Sequence, residues 1–157
     1  MPIKRSDELQ PLSRQHHNGL LFCLLLKKGM AKQADMEVMK EFIQDFWYKD
    51  LHHHFDLEEN YLTPLQKQYQ LLSEPLQRMV NEHYELKNVI NEISIDITAR
   101  SVEELRNKLE AHIRFEERAL FPLIEETITE QQRLVIGGIL SHEKDDNCMN
   151  YPIKFWE

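Results

Sequence analysis

His54-Phe-Asp-Leu-Glu58-Glu59-Asn-Tyr-Leu62-Thr-Pro64 and His112-Ile-Arg-Phe-Glu116-Glu117-Arg-Ala-Leu120-Phe-Pro122 are two copies of one pattern. Histidine, both glutamates, leucine and proline coincide at one constant offset that carries position 54 onto 112 and 64 onto 122. Composition alone rarely gives so many coincidences in so short a stretch. The pattern implies two halves related by approximate symmetry and facing each other. On a helix, residues i and i+4 lie about 40° apart around the axis and one turn apart along it. His54 with Glu58, and His112 with Glu116, therefore each aim an imidazole and a carboxylate at one spot. The neighbouring positions on those faces are aromatic or aliphatic, so the spot is internal. Two carboxylates buried in an apolar core cost several kcal/mol each unless something compensates them. A pair of cations would do so.

The segments around this repeat read as further helices. The chain has 157 residues, 41% of them hydrophobic, with only four glycines and six prolines. Such scarcity of turn formers favours a few long elements, and Leu, Glu, Gln, Lys and Met are good helix formers. A first helix is predicted over 12–30, with Leu9, Leu12, His16, Gly19, Cys23, Leu26 and Met30 at helical spacing. Asp35 caps a second, which carries Met36, Met39, Phe42, Ile43, Phe46 and Trp47 inward and runs through the His/Glu cluster to about Tyr61. A third begins at Ser73, with Pro75 in its first turn. Ser101-Val-Glu-Glu104 reads as a capping box opening a fourth. Leu105, Leu109, His112, Phe115, Leu120 and Leu123 line one face of it, and Pro122 predicts a kink or an end. Thr129 caps a short fifth helix reaching Ile139 or Leu140, weakened by Gly137-Gly138. The expected fold is all-α: an up-down four-helix bundle over about 9–128, with a short helix and tail over 129–157, in one domain spanning 1–157. In the tail, Tyr151, Phe155 and Trp156 pack back on the bundle or into a dimer contact, which allows a homodimer.

The first and third predicted helices each add one imidazole. His83 is in register with Met79, Leu86 and Ile90. On the first helix, His16 shares a face with Leu12, Gly19, Cys23 and Leu26, whereas His17 shares one with Ser13 or Arg14 and Lys28. His16 is favoured, with His17 as the alternative. The candidate metal ligands are then His16, His54, Glu58, His83, His112 and Glu116. If both glutamates bridge, each metal has two nitrogens, two carboxylate oxygens and a shared oxo or hydroxo, with one position open. Mixed imidazole and carboxylate donors suit iron, manganese or zinc, and the lack of a thiolate cluster disfavours structural zinc. Two iron ions are the first choice. Glu59 and Glu117 lie about 100° round from their neighbours and are solvated, or steady a ligand imidazole from outside. His52 and His53 point to solvent or to that outer layer. Cys23 reads as a small buried hydrophobe, and His142 and Cys148 fall in the tail, away from the pattern. Tyr48, Tyr61, Tyr69 and Tyr84 read chiefly as packing residues able to hydrogen-bond a bound oxygen species.

At these residues the chain resembles the hemerythrin-like family (the HHE cation-binding domain), over about 9–128. The resemblance implies ligands at His16 (or His17), His54, Glu58, His83, His112 and Glu116. Oxygen-carrying members place a second histidine one turn after the first on the third helix, where this chain has Lys87, and an aspartate where it has Glu116. The four-histidine, two-glutamate set is more similar to the di-iron proteins linked to nitric oxide stress and iron-sulfur repair.

The net charge of −8 excludes nucleic acid and anionic membrane surfaces as partners. The longest apolar run, Leu20 to Leu26, is too short to span a bilayer and too deep in the chain for a secretory signal. Two cysteines give no disulfide framework, so a reducing cytoplasm is the expected compartment. No glycine-rich phosphate loop or nucleophile–base motif appears. The leading expectation is a di-iron protein binding oxygen, nitric oxide or iron for sensing, storage or stress protection. The alternatives are a di-iron redox enzyme, consuming nitric oxide, peroxide or oxygen or repairing iron centres, and a helical interaction module that binds zinc or nothing.

Overall fold

The computed structural model describes residues 4–144 and 147–157, so positions 145 and 146 of the predicted tail lie outside the described residues. Helix α1 spans Gln10–Ala31, α2 Met36–Phe46, α3 His52–Tyr61, α4 Ser73–Ile95, α5 Ala99–Phe115, α6 Phe121–Thr127 and α7 Glu130–Leu140. No strand occurs among the described residues. Two π-helical turns, Trp47–Leu51 and Glu116–Leu120, join α2 to α3 and α5 to α6 without a break, so the bundle has four long columns. Column α1 packs on α5 and α2, and α4 packs on α5 and α2. The two columns that carry the repeated pattern therefore stand diagonally across the bundle, as do the two that carry one histidine each.

Local signals account for most of the boundaries. Asp35 accepts from the amides of Glu37 and Val38 at the start of α2. Thr129 and Gln132 cap α7 reciprocally. The box predicted at Ser101 is corrected: Thr98 is the cap, and Ser101 is the third helical residue whose hydroxyl accepts from the Thr98 amide. Two hydroxyl residues three apart satisfy the same orphan amides that the predicted Ser–Glu pair would have, and they do so one turn earlier. Pro122 does not end its helix, which runs on to Thr127. A proline clashes with the carbonyl four residues back and donates no amide hydrogen. The wider turn immediately before it accommodates both defects.

A π turn holds one extra residue, so the inward face moves on by one position beyond it. Leu123 is accordingly only half-buried, while Phe121 and Ile124 are fully enclosed. The same shift explains the five-residue step from Phe46 to Leu51 on the inner face of the other column.

The interior is two apolar clusters with a polar layer between them. Phe22, Leu26, Phe42, Leu86, Ile93, Leu105 and their neighbours form one. Leu12, Leu62, Leu76, Met79, Leu120, Ile124, Ile136 and others form the second. The tail returns to the first cluster: Tyr151, Phe155 and Trp156 all contact Phe42, and Asn18 anchors the Cys148 amide at 2.9 Å. Gly29 admits Phe155, since a Cβ there would lie 2.6 Å from its ring. No helix of the described residues is long and apolar enough to cross a membrane.

Candidate metal centre

Between the two clusters, His16 (α1), His54 and Glu58 (α3), His83 (α4), His112 (α5) and Glu116 (opening the second π turn) are all buried, both carboxylates completely. They form two quartets, His16–His54–Glu58–Glu116 and Glu58–His83–His112–Glu116, each with ligand-type atoms within 4.8 Å of one another. Both quartets use both glutamates. Every imidazole turns its Nε2 inward. His54 and His83 approach Glu58 Oε1 at 3.2 and 3.1 Å. His16 and His112 approach Glu116 Oε1 at 3.1 and 2.8 Å. The i, i+4 pairs thus meet the lone histidines of the other two columns in a single layer.

Every Nδ1 faces outward to an acceptor. His16 meets Glu117 Oε2 at 3.0 Å, His54 meets Gln15 Oε1 at 2.6 Å, His83 meets Glu59 Oε2 at 3.1 Å and His112 meets Glu82 Oε1 at 2.8 Å. These acceptors take a proton from Nδ1 and leave the Nε2 lone pair pointing at the centre, the tautomer a metal requires. Glu59 and Glu117 fill the outer role the sequence allows them. Gln15 and Glu82 do so too, and nothing in the repeat itself points to them. Their signal is positional, because each directly precedes the lone histidine of its helix. Phe55 stacks on His83 at a centroid distance of 3.8 Å and Phe121 on His16 at 5.3 Å, which fixes two of the rings in plane.

The charges are divided unevenly. Burial works against a charged His112, but Glu116 and Glu82 outweigh it and raise the imidazole to about 9. Burial also opposes charge on His16, yet Glu116 and Glu117 raise it above the usual histidine range. His54 is pushed well below that range by burial and by the neighbouring His16. His83 is lowered by burial, which its bond to Glu59 does not offset. Burial and the Glu116 charge hold Glu58 well above the usual carboxylate range. Burial acts the same way on Glu116, but His112 and the other partners around it hold it well below.

Four buried atoms of this layer, His54 Nε2, His112 Nε2, Glu58 Oε2 and Glu116 Oε2, make no well-aligned hydrogen bond, although the two nitrogens lie 3.2 and 2.8 Å from Glu58 and Glu116. Buried polar atoms are ordinarily paired with good geometry, and this layer falls short of that. The donor chemistry, four imidazoles that turn Nε2 inward around two carboxylates, fits a pair of divalent or trivalent cations.

Other histidines stand apart. His17 is exposed and leaves the place on α1 to His16. His52 is exposed beside Asp56 at 3.6 Å. His53 is exposed and meets Glu143 Oε1 at 2.6 Å, and the same oxygen accepts from Gln15 Nε2 at 3.1 Å. His142 is exposed, and Cys23 and Cys148 are buried free thiols outside both quartets. The tyrosines do not reach the layer: Tyr48, Tyr61 and Tyr84 are exposed, and Tyr69 donates to Gln132. A cavity of about 520 Å³ opens beside the layer, bordered by Gln15, His16, His54 and His112 and walled by Leu21, Phe46, Phe55, Leu109 and Ile113 among others.

A family model described as the hemerythrin HHE cation binding domain matches residues 8–124, well over half of the chain. No curated protein and no solved structure matches it.

Proposed function

The chain belongs to the hemerythrin HHE cation-binding domain family, and from that premise we propose that it is a non-haem di-iron protein that binds oxygen or nitric oxide in sensing or stress protection, or holds iron itself. The observation that carries this reading is the sharing of Glu58 and Glu116 by two quartets. A shared pair of carboxylates would let two cations be held in one layer, with His16 and His54 available to one and His83 and His112 to the other. Imidazole and carboxylate donors without thiolate favour iron, with manganese or zinc as the other metals such donors accept. Bound there, iron supplies Lewis acidity and one-electron redox chemistry.

The chain's own residues do the rest. Glu59, Glu82, Glu117 and Gln15 orient the imidazoles. The apolar clusters keep bulk water from the layer on either side along the bundle. The cavity gives a small molecule access to the side of His16, His54 and His112. Anaerobic loading with ferrous iron followed by air should produce a near-ultraviolet absorption band that shifts on adding azide. A featureless spectrum with iron bound would rule out small-ligand binding. Fewer than one metal per chain in the native protein, with melting unchanged by chelation, would rule out the metal centre itself.

The breadth of the cavity favours a second reading, a redox enzyme that consumes nitric oxide, peroxide or oxygen. Its volume of about 520 Å³ lies within the range of ligand pockets, about 300–1,000 Å³, and exceeds what a diatomic needs. Sustained turnover with a reductant separates the two: consumption that stops after one equivalent leaves only binding.

A further inference from the structure

We propose that Glu143, which lies beyond the residues the family model matches, is a positioning residue of the metal centre: it fixes which end of the Gln15 carboxamide faces His54, and so which nitrogen of that ring carries the proton. The consequence for metal affinity rests on the metal-centre reading above, whereas the place of the proton rests on the hydrogen-bond network alone.

Three of the four imidazoles need no such help. Glu117, Glu59 and Glu82 meet the Nδ1 atoms of His16, His83 and His112. An ionised carboxylate only accepts, so each of those nitrogens is the donor. His54 instead meets a carboxamide, with Gln15 Oε1 at 2.6 Å. A carboxamide accepts at one end and donates at the other, and the two ends are nearly the same in shape. The inner side of the ring does not oppose the wrong choice. Glu58 Oε1 lies 3.2 Å from His54 Nε2 and would take a proton from it if Nδ1 were bare. That tautomer aims no lone pair at the centre and cannot bind a cation through Nε2.

Glu143 removes the choice. Its Oε1 accepts from Gln15 Nε2 at 3.1 Å, which ties the donating end of the amide outward and leaves Oε1 for His54. Turning the amide over would set its oxygen against the Glu143 carboxylate and its NH2 group against the His54 Nδ1–H, losing both bonds at once. His53 Nε2, 2.6 Å from the same Glu143 oxygen, approaches it from the exposed side. The carboxylate is itself held in place. The Glu143 amide donates to the Leu140 carbonyl at the end of α7 at 3.0 Å, and the Cys148 amide donates to Asn18 Oδ1 at 2.9 Å. Asn18 follows Gln15 by three residues on α1, so the helix that presents the amide also anchors the arm that orients it.

The test reads the proton first and the metal second. In the metal-free protein at pH 8, long-range proton–nitrogen NMR should place the His54 proton on Nδ1. Glu143→Ala should move a substantial share of it to Nε2 while His16, His83 and His112 stay as they are. The same variant should bind Zn(II) about 10- to 100-fold more weakly in competition with a chelator. Gln15→Glu/Glu143→Ala should restore both, because a carboxylate at position 15 accepts whichever way it turns. A merely structural loss of the arm would not be repaired from α1.

A Glu143→Ala protein that keeps the parent's His54 tautomer, or matches the parent's measured Zn(II) affinity, overturns the proposal. So does a double variant that stays impaired. If the tautomer responds as expected but the parent protein binds no Zn(II), the assignment of the proton stands and the metal-centre reading falls instead.

Discussion

Metal affinity should rise about 50-fold or more from pH 7 to pH 9, because His112 is held at about 9 in the metal-free protein, is half-protonated at pH 9, and each pH unit well below that value costs one decade of affinity per proton displaced. The sign follows from which form each partner needs. A metal binds neutral Nε2, so a ring raised above its ordinary value is protonated at pH 7 and must lose that proton. His112 contributes about one proton. Glu58, held well above the carboxylate range by burial and Glu116, and His16, raised by Glu116 and Glu117, push the count in the same direction. His54 and His83 are lowered, hence already neutral, and release none. Competition titrations with Zn(II) at pH 7, 8 and 9, corrected for metal hydrolysis and chelator protonation, measure the slope. Calorimetry at pH 7 in two buffers of different ionisation enthalpy counts the protons directly. A flat affinity together with buffer-independent heat would refute the reasoning, since it would mean that the carboxylates do not hold protons on the layer.

Stability of the metal-free protein should change in the opposite direction over the same range. A histidine raised to about 9 stabilises the fold fully below its ordinary value of 6.5 and loses that contribution as pH climbs through 9, and Glu58 acts with the same sign, so the melting midpoint in chelator should fall between pH 6.5 and pH 9; a rise would contradict it. Glu58→Ala/Glu116→Ala leaves each metal with two imidazoles of its four protein donors. If four donors give roughly 10–16 kcal/mol, losing half should weaken binding by about four decades or more while circular dichroism stays helical; retained iron by elemental analysis would show that the metal sits elsewhere. Gly29→Ala should lower the melting temperature, because its Cβ would meet the Phe155 ring at 2.6 Å, and the overpacking, about 1–3 kcal/mol, exceeds a helix-propensity gain of about 1 kcal/mol. Gly138→Ala, facing open space, should raise it by up to about 1 kcal/mol, so equal effects at the two glycines would refute the tail packing.

What the sequence revealed and what it hid divide along physical lines. The diagonal columns were legible because a two-fold repeat of His-x-x-x-Glu is a helical pattern with chemistry in it, and the residues that read as inward at 16, 54, 58, 83, 112 and 116 are buried together. Asp35 and Thr129 were legible because a cap is a local interaction. The π turns were not, although the five-residue step from Phe46 to Leu51 is their trace, because a period of 3.6 was assumed throughout. That assumption made Leu123 the inward residue in place of Ile124. The acceptors Gln15 and Glu82 were missed for another reason: each orients a ring on a different column, and no periodicity along one helix reports a bond between two. Arg5 and Glu143 join the site from opposite ends of the chain, which places them beyond any local reading.

The placement of the polar layer also explains how a fold can carry so costly a site. Four buried imidazoles and two fully enclosed carboxylates sit at one level of the bundle, but the apolar clusters above and below that level are each continuous across several helices. Every column passes through both clusters, so the helices are fixed on either side of the layer without help from it. The cores on either side do not depend on the layer, and its histidines are held in place by ring stacking and by outer acceptors. On the proposed reading, metal binding would relieve this strained layer without creating the fold, so removing both carboxylates should cut binding by several decades and leave the helices intact.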